Sequence, residues 1–134
     1  MKVIYEASFK FRVRYSETDK MGYCYYGNYA SYFEVARVEA LREIGLSYAD
    51  LEERGVGLPV KDYSVAFKRP AKYDDEIEVR TKVHALDGLS LGFSYETLDK
   101  DGALLNHAET TLVFVDLKTG RPMRVPDDVQ ELLT

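Results

Sequence analysis

The periodicity of the apolar residues changes twice along this chain, and these changes limit the folds open to it. Between residues 3 and 15 apolar and polar residues alternate, which predicts a half-buried strand. Between residues 29 and 44 the apolar residues recur at intervals of three and four, which predicts a helix of about four turns. Alternation then returns in three further segments, at 58–67, 77–85 and 89–97, and a fourth segment at 103–117 is apolar on both faces near Leu112, which predicts a central strand. One long helix among five such strands predicts an α+β fold with a largely antiparallel sheet.

Residues that begin and end helices support these boundaries. Asn28 is expected to cap the start of the long helix, and Gly45 suits the left-handed conformation that ends it. Ser47 is expected to cap a second, short helix over 48–54. Pro126, followed by two acidic residues, predicts a short helix near the end of the sequence.

The composition limits the function classes. With 134 residues the chain fits a single domain spanning 1–134. A net charge of −5 argues against nucleic-acid binding, which needs a basic face. Cys24 is the only cysteine, which excludes an intramolecular disulfide and a Cys-rich zinc site. Two histidines, His84 and His107, leave little for a metal, so we expect none.

No targeting or membrane segment stands out in the sequence. No apolar run approaches the roughly 18 residues that a membrane-spanning helix needs. The first residues lack the continuous apolar stretch of a signal peptide. We therefore expect no membrane span and a cytoplasmic location.

The loop between the first strand and the long helix holds the residues best suited to chemistry. It carries two carboxylates, Glu17 and Asp19, and tyrosines that can wall off a site. It continues through Gly27 and Asn28 into the helix, whose first amides and dipole favour negative charge. A carboxylate facing a group whose carbonyl oxygen points at free amides suits acyl transfer. The carboxylate would be nucleophile or base, and the amides would form an oxyanion hole.

Each of these residues also has a structural interpretation. Asp19 in a polar loop can simply form a turn or a cap. Glu17 is expected to be solvated, and the tyrosines to pack rather than react. Cys24 is expected to be a buried, inert thiol, because neither histidine is near it in sequence to activate it. Arg37 and His84 fall on the polar faces of their elements and are expected to be exposed.

The same loop resembles a known family. The resemblance lies in the run Tyr15-x-x-Thr18-Asp19-x-x-Gly22-x-x-Tyr25-x-x-Asn28-Tyr29, followed by Phe33-Glu34-x-Ala36-Arg37. It continues at Phe67-Lys68-Arg69-Pro70-Ala71 and covers nearly the whole chain. These motifs resemble the acyl-CoA thioesterases of the hotdog fold, in the 4-hydroxybenzoyl-CoA thioesterase-like branch that includes the Tol-Pal-cluster type. That fold is an α+β arrangement in which a five-stranded antiparallel sheet wraps around one long central helix.

The resemblance implies roles for particular residues. Asp19 matches the catalytic carboxylate, which is nucleophile or general base in splitting a CoA thioester. Tyr26 holds the position whose backbone amide polarises the thioester carbonyl, and Tyr15 matches a tyrosine near the catalytic acid. The expected substrate-binding residues are Gly27, Asn28, Tyr29, Phe67, Lys68 and Arg69. The last two are the candidates for the CoA phosphates.

The resemblance also implies the cofactors and partners. It implies no cofactor, with CoA present only as part of the acyl-CoA substrate, and a homodimer that assembles into a homotetramer. Each site would then contain residues from two chains.

Two departures from the family pattern leave an alternative open. Tol-Pal-type members usually have histidine at the position of Tyr26, whereas the hydroxybenzoyl type has tyrosine there. Some relatives also carry a basic cluster near 87–89, and this chain has none there. The alternative is a hotdog module that binds acyl-CoA without hydrolysing it, as a sensor. A dehydratase of the same fold is a weaker option, because no histidine lies in this loop. The acyl group stays open between an aromatic and an aliphatic one.

Overall fold

The computed structural model describes residues 2–85 and 87–134. Its strands are β1 (Lys2–Arg12), β2 (Val56–Gly57), β3 (Val60–Phe67), β4 (Glu76–Ala85), β5 (Ser90–Leu98), β6 (Leu104–Val113) and β7 (Val115–Asp116). Its α-helices are α1 (Asn28–Glu43), α2 (Tyr48–Glu53) and α3 (Asp127–Leu132). A single 3-10 turn, Tyr15–Glu17, separates β1 from the loop that leads to α1.

Five strands form one antiparallel sheet in the order β1-β4-β5-β6-β3, and β2 and β7 pair separately as a small ribbon. Strands β4, β5 and β6 follow each other along the chain, and β5 pairs with both of the others. Strand β1, which comes first, and β3, which follows α1 and α2, take the two edges. The predicted α+β arrangement with an antiparallel five-stranded sheet is confirmed.

Helix α1 packs across the sheet and closes the core. Its apolar face contacts β1 and β4, and Phe33 stacks on Tyr95 of β5 with ring centroids 4.6 Å apart. Phe33, Ala36, Ala40 and Leu41 are all fully buried in this layer. The small alanines let the helix approach the strands closely, and the buried apolar area drives the packing. The N-terminus of α1 is thereby held near the loop after β1.

Three predicted strands are shorter than expected, and the one predicted at 58–67 begins only at Val60. The first ends at Arg12 rather than at residue 15, because the backbone turns away: the Val13 amide donates to Asp75 O at 2.9 Å. The segment 103–117 contains β6 and β7, and the Phe114 amide between them donates to Leu89 O instead of continuing the ladder. The predicted end of α1 is confirmed by Gly45 at φ 95°.

Two charged or titratable side chains that were expected to be exposed are buried. Arg37 lies one turn beyond Phe33 on the same face of α1 and is only 8% exposed. His84 is also 8% exposed, and its Nε2 lies 3.0 Å from Ser94 Oγ. Its partner across the β4–β5 ladder is Gly92, which has no side chain to hold the imidazole away from the sheet. Within the described ranges no helix is both long enough and apolar enough to cross a membrane.

Candidate active site

Asp19 is fixed in a tight turn by one of its two carboxylate oxygens. Oδ1 accepts hydrogen bonds from the backbone amides of Met21 at 2.9 Å and Tyr23 at 3.2 Å. The Gly22 amide donates to Asp19 O at 2.9 Å, and Gly22 adopts φ 83°, a conformation that favours glycine. Oδ2 accepts no hydrogen bond from the described residues. Asp19 is therefore both a turn residue and a carboxylate with a free oxygen.

The Asp19 turn faces a cavity of about 370 Å³. Its other lining residues are Tyr23, Cys24, Tyr26, Tyr29, Phe67, Lys68, Arg69 and Pro70. Aromatic rings form much of the wall: the ring centroid of Phe67 lies 5.7 Å from that of Tyr29 and 6.3 Å from that of Tyr26. A cavity of this size, mainly apolar with a few polar groups, suits a small-molecule ligand.

The cavity adjoins the start of helix α1. Gly27 takes the N-cap position, and the amides of Tyr26 and Gly27 have no backbone acceptor among residues 2–85 and 87–134. The positive end of the helix dipole adds to these free donors. Gly27 has an ordinary helical φ of −65°, so its backbone conformation does not require glycine. A larger residue would clash, because a Cβ there would lie 2.6 Å from the Tyr25 ring.

Asn28 does not cap α1, and that prediction is wrong. It is the first residue of the helix, and its side-chain amide donates to the carbonyl of Glu17 at 2.6 Å. The side chain therefore ties the helix start back to the loop instead of accepting a hydrogen bond from the helix's own amides. The prediction that Ser47 caps α2 is confirmed, because its hydroxyl accepts from the Asp50 amide at 3.3 Å.

A pair of basic residues forms the mouth of the cavity. The backbone amides of Lys68 and Arg69 both donate to Leu105 O, at 2.8 and 3.0 Å, which fixes the turn after β3. Both side chains are exposed, and neither forms a salt bridge with any residue that the structure describes. Two free cations at the rim of an aromatic cavity suit an anionic ligand group.

The remaining predicted tyrosines lie in contrasting places. Tyr29 is only 2% exposed, and burial raises the pKa of its hydroxyl. Tyr15 is 79% exposed and packs edge-on against Tyr73, with ring centroids 5.5 Å apart, rather than in the cavity wall. The structure thus brings Asp19 to one cavity with Tyr26, Tyr29, Phe67, Lys68 and Arg69. Gly27 and Asn28 lie at the adjoining helix start, and Tyr15 lies outside.

Glu17 is buried, and the prediction that it is solvated is wrong. It is only 7% exposed, and its carboxylate accepts from the Arg14 amide at 2.8 Å, the Arg14 guanidinium at 3.0 Å and the Tyr32 hydroxyl at 2.7 Å. Burial raises the pKa of Glu17, but the hydrogen bonds from Arg14 and Tyr32 outweigh it, so the pKa lies below its ordinary value. The only advance signal was the i, i+3 spacing of Arg14 and Glu17.

Cys24 is the buried thiol that the sequence analysis expected. It is 6% exposed, and burial raises the pKa of the thiol. Its Sγ lies 3.7 Å from the Tyr32 hydroxyl. A thiol with a raised pKa is a poor nucleophile at neutral pH, which agrees with the inert role expected of Cys24.

Comparisons with known proteins agree with the resemblance seen in the sequence. A family model described as the thioesterase-like superfamily matches residues 13–133. The chain is 33% identical over 118 residues to the acyl-CoA thioester hydrolase YbgC of Escherichia coli, covering 88% of each chain. It is 32% identical over 124 residues to the acyl-CoA thioesterase YbgC of Haemophilus influenzae, covering 92% of this chain and 90% of that one.

A solved structure extends the comparison to three dimensions. The DHNA-CoA thioesterase from Staphylococcus aureus superposes with a TM-score of 0.90 at 35% identity, covering 95% of this chain and 87% of that one. The predicted hotdog fold is confirmed by this match together with the sheet order and the position of α1.

Proposed function

Because this chain belongs to the thioesterase-like superfamily and is a thioester hydrolase, we propose that it hydrolyses acyl-CoA thioesters in the cavity at Asp19. One observation carries the proposal: Asp19, which has one carboxylate oxygen free of hydrogen bonds from the described residues, lines the same cavity as Tyr26, and the amides of Tyr26 and Gly27 before α1 lack acceptors there. An anionic oxygen and a set of free amides are the two halves of an acyl-transfer site.

Two routes use these groups. In the first, Asp19 Oδ2 attacks the thioester carbonyl carbon, the C–S bond breaks, and CoA leaves as a thiolate that takes up a proton. Water then hydrolyses the mixed anhydride, which releases the acid and restores the carboxylate. In the second route, Asp19 takes a proton from water as that water attacks the carbonyl carbon, and the proton passes to the leaving thiolate.

Both routes place negative charge on the former carbonyl oxygen. The backbone amide of Tyr26, with the dipole of α1 behind it, is the proposed donor to this oxygen. A donor of this kind is worth about 3–4 kcal/mol in the transition state. Because the donor is a main-chain group, this role of the backbone does not depend on whether the residue is a tyrosine or a histidine.

The two ends of the substrate meet different surfaces. Lys68 and Arg69 are proposed to bind the CoA phosphates, because they are free cations at the cavity mouth. The acyl group is proposed to lie against Tyr29 and Phe67, whose rings form the apolar wall. Such a wall accepts either an aromatic ring or an aliphatic chain.

The protein is proposed to work in the cytoplasm as a homodimer that pairs into a homotetramer. Edge strand β3 supports the assembly, since it exposes Val60, Tyr63 and Phe67 along one side of the sheet. An exposed edge with apolar side chains is a surface that proteins usually cover.

Thiol release from a panel of short, long and aromatic acyl-CoAs tests the proposal. Asp19→Asn should lower kcat about 10³-fold, the scale expected for loss of a catalytic carboxylate. Asp99→Asn is the matched control: Asp99 Oδ1 accepts from the amides of Asp101 and Ala103, both at 2.9 Å, in a turn like that of Asp19. This control should retain kcat within about twofold.

Three outcomes would contradict the proposal. Near-native turnover in Asp19→Asn would remove Asp19 from the reaction. Equal losses in Asp19→Asn and Asp99→Asn would show that a damaged turn, not lost chemistry, lowers the rate. Saturable binding of acyl-CoA by calorimetry with no turnover would favour the non-hydrolytic binding module.

A further inference from the structure

We propose that Glu17 is a positioning residue, which holds the Asp19 turn and the start of α1 in a single geometry. This inference rests on the proposed function, since it assigns to Glu17 a part in the same reaction. Glu17 does not line the cavity. It acts through the residues that it binds.

The carboxylate of Glu17 joins the loop to the helix. Tyr32 lies in the second turn of α1, and its hydroxyl donates to Glu17 Oε1 at 2.7 Å. Arg14 fixes the same carboxylate from the β1 side through its amide and its guanidinium. Strand end, loop and helix therefore meet at one buried anion, two residues before Asp19.

The main chain of Glu17 makes a second connection to the helix start. Its carbonyl accepts from the Tyr25 amide at 2.8 Å and from the Asn28 side-chain amide at 2.6 Å. Tyr25 and Asn28 flank Gly27 and Tyr26, and the backbone amide of Tyr26 is the one proposed to bind the oxyanion. Movement of Glu17 would therefore change the distance between the carboxylate and the amides of the site.

A buried carboxylate needs a reason to be retained. Removing a charged group from water is costly unless hydrogen bonds replace its hydration. Glu17 has that replacement in three donors to its side chain, which also hold its position. Catalysis is sensitive to such positioning, because a displacement of about 1 Å can cost about 100-fold in rate.

The chain offers a control at the other end of α1, in a tyrosine–glutamate pair that is exposed rather than buried. There the Tyr5 hydroxyl of β1 donates to Glu43 Oε1 at 2.5 Å, another tyrosine–glutamate bond that ties α1 to β1. Tyr5 and Glu43 lie outside the cavity lining. Loss of this bond should affect stability without changing the geometry at Asp19.

The test measures kcat, KM and the thermal midpoint for Tyr32→Phe, Glu17→Gln and the double variant. Tyr32→Phe removes one hydroxyl and keeps the ring, and Glu17→Gln removes the charge and keeps the shape. Each should lower kcat by about tenfold with KM within about twofold, because positioning acts on the transition state. The kcat of the double variant should lie within about twofold of that of the more impaired single variant, because the two changes remove the same connection. Tyr5→Phe and Glu43→Gln should retain kcat within about twofold, whatever their thermal midpoints.

The outcomes separate this inference from the function on which it rests. If Asp19→Asn abolishes turnover while Tyr32→Phe and Glu17→Gln retain kcat near the wild-type value, the positioning role is overturned and the proposed function stands. If kcat falls in step with the thermal midpoint in Tyr32→Phe, Glu17→Gln and both control variants alike, the bond between Tyr32 and Glu17 is merely structural and the inference is overturned. If the wild type turns over no acyl-CoA, both proposals fail. Should Glu17→Gln not fold, Tyr32→Phe decides alone, since its ring still fills the core.

Discussion

Two turns of this chain are nearly the same in sequence and in hydrogen bonding. Residues 19–23 read Asp-Lys-Met-Gly-Tyr, and residues 99–103 read Asp-Lys-Asp-Gly-Ala. In each, the aspartate Oδ1 accepts from the amides two and four residues later, and the glycine amide donates to the aspartate carbonyl. The glycines adopt φ 83° and φ 85°. Local sequence is thus enough to fix a carboxylate in this turn.

The surroundings of the two turns differ completely. Asp19 lines an aromatic cavity with two free cations at its mouth. Asp99 joins β5 to β6 in a surface depression shared with Asp74, Asp75, Glu76, Asp101, Arg12 and Lys100. The same turn therefore forms a candidate catalytic group in one place and a hairpin in the other. The neighbours that other parts of the chain supply, rather than the turn, determine the chemistry.

The residues two positions before each aspartate also differ in how they are bound. Glu17 and Thr97 are both buried. Glu17 is bound to Arg14 and Tyr32, whereas the Thr97 hydroxyl has no partner within the described ranges. The first turn is thus tied to a helix, while the second is held by its own strands.

Substitution of Gly22 and Gly102 tests this comparison most strongly. A Cβ at Gly22 or at Gly102 would meet no atom within 4 Å, so Gly22→Ala and Gly102→Ala add only backbone strain. Each should lower the free energy of unfolding by about 1–2 kcal/mol. Gly22→Ala should also lower kcat by about 100-fold, because the strain displaces Asp19. Denaturant unfolding and thiol release on the same preparations measure both effects.

Gly102→Ala is the control for that prediction. It should lose the same stability and retain kcat within about twofold. If both variants lose activity equally, general loosening of the fold explains the effect and the functional difference between the turns disappears. If Gly22→Ala loses stability and keeps its kcat, the carboxylate position is not critical.

Periodicity was sufficient to predict α1 and the sheet, because burial of one apolar face stabilises each element. The similarity of the two turns can also be read from the sequence. The sequence does not indicate which of the two turns faces a cavity, because Phe67 and its basic neighbours come from the end of a strand that is distant in sequence. The burial of Glu17 was missed for the same reason: Arg14 and Tyr32 converge on it only after the loop has folded onto α1.

The depressed pKa of Glu17 predicts how stability depends on pH. A carboxylate whose folded pKa lies below its ordinary value of 4.5 contributes stability above pH 4.5 and loses it as the pH falls through the folded pKa. At neutral pH, Glu17→Gln should lower the free energy of unfolding by about 2 kcal/mol, since the charged hydrogen bonds are lost. The difference in the free energy of unfolding between wild type and variant should become smaller below pH 4.5. Denaturant titrations from pH 7 to pH 3 measure it, and a gap that stays constant across this range would show that the charge of Glu17 contributes nothing.

The basic pair at the cavity mouth gives the smallest expected effect. Lys68→Gln and Arg69→Gln together should raise KM for acyl-CoA about tenfold and leave kcat nearly unchanged, because contacts to the CoA phosphates act equally on substrate and transition state. The increase in KM should shrink as salt is added, since exposed charges are screened. Lys100→Gln, at the second turn, should leave KM unchanged. If Lys100→Gln raises KM as much as the Lys68 and Arg69 changes do, the effect reflects overall charge. The cavity mouth would then have no specific role in holding CoA, and the comparison between the two turns would rest on Asp19 alone.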